Sequence, residues 1–65
     1  MRLLIKRTRI KKGIKIKHII KEAGISRASL YNYENGKRWP DMLTMEKLAK
    51  AMNVKISDLY ESEYK

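Results

Sequence analysis

Cysteine is absent from this chain of 65 residues. Its absence excludes disulfides and any zinc site built on thiolates, and it fits a reducing compartment. Long apolar runs are missing too. Leu3-Leu4-Ile5 is cut short by Lys6 and Arg7, far below the ~20 apolar residues that span a bilayer, and the N-terminus lacks a secretory pattern. A soluble, cytoplasmic protein with no membrane partner is expected. No segment sustains the alternation of a β-strand. No nucleophile–base pair, paired carboxylates or phosphate loop occurs, and the lone His18 lies on a polar helix face beside Lys17. Neither catalysis, a metal, a cofactor nor a small-molecule ligand is expected.

Acidic residues are scarce as well. Seven Asp and Glu stand against sixteen Lys and Arg, for a net charge of +9. The imbalance is local: residues 1–40 hold twelve basic and two acidic side chains, residues 41–65 four and five. One face built for a polyanion follows from such asymmetry. Nucleic acid is the leading partner, with a membrane surface or a merely solvated exterior as the alternatives. A domain this short buries only about 60% of its unfolded surface. One compact core must therefore hold a single domain, 1–65.

Gly13, Gly24 and Gly36 each fall where an apolar helical pattern stops, the place for a left-handed helix cap. Helices are predicted over about 2–12, 16–23 and 27–35. In the second, Ile16, Ile19, Ile20 and Ala23 form one stripe at helical spacing. Ile25 should tuck into the core, and Ser26 should cap the third helix, which buries Leu30 and Tyr33. Asp41 caps a fourth helix of about 42–52 with a stripe of Met42, Met45, Leu48, Ala49 and Met52. A short fifth helix is expected near 57–61, with Leu59 and Tyr60 inward. The fold class is all-α, a compact five-helix bundle.

Helix, tight turn at Gly24, helix is the spacing of a helix-turn-helix, in which the second helix of the pair enters the DNA major groove. The exposed face of the third helix carries small residues, Ala28 and Ser29, for close approach. Arg27 suits guanine O6 and N7, and Asn32 suits adenine N6 and N7. Tyr31 either contacts the groove or packs on the neighbouring helix. Trp39 is read as a clamp between the third and fourth helices, or else as a sugar-phosphate contact.

The stretch Gly24-Ile25-Ser26-Arg27 through Tyr33-Glu34-Asn35-Gly36-Lys37-Arg38-Trp39-Pro40 resembles the lambda-repressor-like (Cro/CI, XRE) helix-turn-helix family. The Glu34-Asn35-Gly36 tripeptide with its basic sequel carries much of the likeness, and Lys47 to Val54 resembles the family's fourth helix. The resemblance implies a transcriptional regulator of the Cro/CI type, acting as a homodimer on a two-fold operator in double-stranded DNA. It places base reading on Arg27, Ala28 and Asn32, with Tyr31 flanking them as a further base-reading candidate. It places phosphate contacts on Lys37, Arg38 and the start of the second helix, where Lys15 or Lys17 is expected to supply the contact by charge; Ser26 and Ser29, flanking the base-reading positions, are further backbone candidates. It also implies a buried ion pair between Arg9 and Glu34, although an exposed Arg9 could instead bind phosphate.

The chain departs from the family pattern at four places. Lys15 and Ile16 stand where Ser or Thr and then Gln are usual, Ile20 where alanine is, and Lys55 where a capping serine is. Ile56, Tyr60 and Tyr64 are candidate dimer contacts. The rival function is an antitoxin or other protein-interaction module on the same fold.

Overall fold

A computed structural model describes residues 1–65. Four α-helices form the body of the protein: α1 (Ile5–Lys12), α2 (Ile16–Ala23), α3 (Arg27–Glu34) and α4 (Met42–Met52). A 3₁₀ turn over Ile56–Leu59 follows, and two short strands, β1 (Arg2–Leu3) and β2 (Tyr60–Glu61), pair antiparallel.

Each helix boundary has a physical cause. Gly13 and Gly24 hold φ of 66° just past α1 and α2, a left-handed conformation that costs a residue with a Cβ but not glycine. Asn53 ends α4 in the same conformation, at φ 56°. Ser26 and Asp41 cap α3 and α4 by accepting the backbone N–H of Ser29 and of Thr44, at 3.0 and 2.8 Å. Lys15 gives α2 no such side-chain cap. Lys55 cannot cap the 3₁₀ turn as a serine would, so Asp58 reaches back and accepts the Lys55 backbone N–H at 3.0 Å.

The main packing is α2 against α4, with the 3₁₀ turn closing beneath α4. The fully buried side chains are Ile5, Ile19, Leu30, Leu48, Met52 and Leu59, so every helix and the 3₁₀ turn contribute to one core. Ile16, Ile20 and Ile25 pack at its edge, half-buried. Helix α1 is different, because Ile5 is its only buried residue. Polar links hold it: Arg9 to Glu34, the Lys12 ammonium to the Asn53 carbonyl at 3.2 Å, and the Thr8 hydroxyl to the Asp58 carbonyl at 3.3 Å.

The structure corrects the predicted elements in four places. Helix α1 begins at Ile5, because Arg2 and Leu3 leave it to pair with Glu61 and Tyr60. The fifth helix is a single 3₁₀ turn, since Tyr60 and Glu61 are drawn into that ribbon. Met42 is 67% exposed: it continues the apolar stripe of α4 in angle, but at the first turn no neighbouring element covers it. Trp39 is 52% exposed and does not clamp α3 to α4. Leu43, 61% exposed, is a further apolar side chain open to solvent at the start of α4.

Candidate nucleic-acid interface

Helix α2 stops at Gly24, whose N–H donates to the Ile20 carbonyl at 3.0 Å. Half-buried Ile25 pins the turn to the core, and Ser26 then starts α3. Because Leu30 and Tyr33 anchor α3 from below, Arg27, Ala28 and Tyr31 share its exposed side. Asn32 and Ser29 sit further round, half-buried. The Ser26 hydroxyl donates to the Ser29 hydroxyl at 3.0 Å, so both serines are tied into the cap at the helix start.

Residues after α3 fold back onto it. The backbone N–H groups of Lys37 and Arg38 both donate to the Asn32 carbonyl, at 2.9 and 3.3 Å, and the Asn35 amide donates to the Tyr31 carbonyl at 2.8 Å. This return lays the Lys37 ammonium 5.3 Å from the centre of the Tyr31 ring and the Arg38 guanidinium 6.0 Å from that of Tyr33. Both are cation–π distances. Lys37 is thus joined to Tyr31 on the exposed face of α3. Lys15 and Lys17, at the start of α2, are exposed.

Glu34 is the one acidic side chain on α3. Arg9 Nε donates to its Oε2 at 2.6 Å and Arg9 Nη2 to its Oε1 at 3.2 Å. The pair is largely buried, with side-chain exposures of 16% and 7%. The fork satisfies both carboxylate oxygens and cancels the charge that would repel a polyanion from this end of the helix. At the start of α4, hydrogen bonds from Thr44, through its side chain first and then its backbone amide, hold the exposed Asp41 carboxyl below its ordinary value.

Two features of this surface were not legible in the residues alone. One is the Lys37–Tyr31 stack, which depends on how the loop returns. The other is a small crevice between α2 and α3, lined by Ile16, Arg27, Leu30, Tyr31 and Glu34; its one signal in the sequence is Ile16, an apolar residue at a helix start. Of the candidate dimer contacts, Tyr60 is engaged in β2, Ile56 is half-buried in the 3₁₀ turn, and Tyr64 is 90% exposed. No helix is long and apolar enough to cross a membrane.

Two consecutive helices joined at Gly24, the second capped and presenting a basic, small-residue face, define a helix-turn-helix DNA-binding protein. Residues 5–59 match a family model described as helix-turn-helix. The chain belongs to the lambda-repressor-like (XRE) helix-turn-helix family of DNA-binding transcription regulators. No curated protein matches it.

Proposed function

We propose that the protein is a sequence-specific repressor of the Cro/CI type that reads duplex DNA with α3 in the major groove. The observation that carries this reading is the exposed face of α3. Arg27, Ala28 and Tyr31 stand there, Lys37 is folded back beside them, and the only local carboxylate is neutralised by Arg9. Arg27, Ala28, Tyr31 and Asn32 read bases. Lys15, Lys17, Lys37 and Arg38 meet phosphates, while Ser26 and Ser29 set the helix start against the backbone. One helix reads too few base pairs for a unique site, so the protein acts as a homodimer on half-sites about 34–36 Å apart. Residues 1–65 form one domain, and it works in the cytoplasm, where the DNA is.

Random-sequence selection with purified protein, followed by sequencing of the bound DNA, tests this. The expected result is an enriched two-fold motif. Failure to enrich any motif overturns the reading. That failure is what the second reading, a protein-interaction module, predicts; the exposure of three large apolar side chains within five residues of sequence, Trp39, Met42 and Leu43, favours it.

A further inference from the structure

The crevice between the start of α2 and α3 has a volume of about 150 Å³. Leu30, 1% exposed, lies at its base. Half-buried Ile16 and the Tyr31 ring line it with apolar surface, and the Lys37 ammonium lies against that ring. Arg27 and Glu34 complete the lining. Three facts constrain what fits. Small-molecule pockets measure roughly 300–1,000 Å³, so a free metabolite is too large. Ile16, Leu30 and Tyr31 present apolar surface to the crevice, which disfavours a phosphate. The lining shares Arg27 and Tyr31 with the exposed face of α3, so the crevice is continuous with the proposed DNA interface.

We infer that this crevice takes the C5-methyl group of a pyrimidine in the major groove, with Ile16 as the residue that selects for it. The inference rests on the reading of α3 as the groove-entering helix. A thymine methyl is the apolar feature that the major groove displays, and 5-methylcytosine presents the same group. The crevice holds a methyl group with part of the ring edge behind it, since a single water occupies roughly 30 Å³. Arg27, beside it, remains able to grip the O6 and N7 of a neighbouring guanine. A methyl pocket at this place follows from Ile16, because a polar side chain there would give the crevice a hydrogen-bonding wall.

The test uses the enriched motif and changes only methyl groups. Each thymine of a half-site is replaced in turn by deoxyuridine, and each cytosine by 5-methylcytosine, and affinities are measured by fluorescence anisotropy. At one pyrimidine per half-site, loss of the methyl should weaken binding about fourfold, or its addition strengthen binding by as much, the worth of one buried carbon group. Which replacement responds shows whether thymine or 5-methylcytosine is the natural occupant. In Ile16→Ala that sensitivity should vanish. If that variant does not fold, Ile16→Thr, which keeps the branched shape and adds a hydroxyl, serves instead. A motif in which no pyrimidine responds overturns the inference and leaves the repressor reading intact. So does a methyl effect that persists undiminished in the Ile16 variant. A selection that enriches nothing removes the repressor reading and this inference with it.

Discussion

Arg9 grips Glu34 through two hydrogen bonds, at 2.6 and 3.2 Å, across 25 residues of sequence. The pair joins α1, which buries only Ile5, to the end of the helix proposed to read DNA. Breaking it strands a carboxylate whose side chain is 7% exposed. Arg9→Met should therefore cost about 2–4 kcal/mol, somewhat below the range for a fully buried pair because neither side chain of the pair is completely sealed from water. For a domain of this size each kcal/mol moves the melting temperature by about 4–8 °C. The melt of Arg9→Met should fall well below the wild type. That of Arg9→Met/Glu34→Leu should recover part of the loss, since no unpaired charge remains.

Asp41 predicts a pH dependence. Its carboxyl is more acidic in the folded chain than its ordinary value of 3.8, because Thr44 hydrogen-bonds to the charged form. The folded chain therefore binds fewer protons at this site than the unfolded one. The stabilisation is complete above pH 3.8 and drains away as pH falls through the lower folded value. Melting temperatures measured from pH 6 down to about pH 2 should converge for wild type and Asp41→Ala at the acid end and separate at the neutral end. Curves that run parallel throughout would exclude the cap as the cause.

The terminal ribbon should matter more than its length implies. Leu3 packs against the core, Arg2 pairs with Glu61 in register, and the Leu4 N–H donates to the Leu59 carbonyl at 2.8 Å. Removing residues 1–3 should cost about 1–3 kcal/mol, from one partly buried leucine and the lost ladder bonds. Thermal denaturation of the truncated chain measures it. The helical content by circular dichroism should be unchanged below the melt.

That ribbon also shows where sequence reading ends. The α2 stripe, the caps at Ser26 and Asp41 and the left-handed stops at Gly24 and Asn53 are local, and each is written within four or five residues. Two-residue strands carry no period, so Arg2 and Leu3 read as the first turn of α1. Met42 fits the α4 stripe in angle, but periodicity does not reveal how far the covering surface extends. The Arg9–Glu34 pair was legible only through the family resemblance, since nothing local links positions so far apart. The crevice at Ile16 exists only once α2 and α3 are set side by side.

Base reading and phosphate binding should separate by experiment, and Tyr31 decides how cleanly. Asn32 offers a donor and an acceptor that match adenine. Asn32→Ala should cost about 1–3 kcal/mol on the selected operator and leave affinity for scrambled DNA unchanged. Lys37 carries a point charge without base preference. Lys37→Ala should weaken binding to both DNAs alike and reduce the slope of log affinity against log salt by about 0.9, one phosphate's worth. The ammonium, however, lies 5.3 Å from the Tyr31 ring, so the ring helps set where that charge sits. Tyr31→Phe keeps the ring and should preserve the salt slope. Tyr31→Ala releases Lys37 and should lower binding to scrambled DNA as well as to operator. In the Lys37→Ala background, Tyr31→Ala should have no further effect on scrambled DNA, because the charge it positions is gone. Binding curves for these variants on both DNAs at several salt concentrations measure all of this. Equal losses on both DNAs for Asn32→Ala, together with an operator-only loss for Lys37→Ala, would show that α3 docks in another orientation.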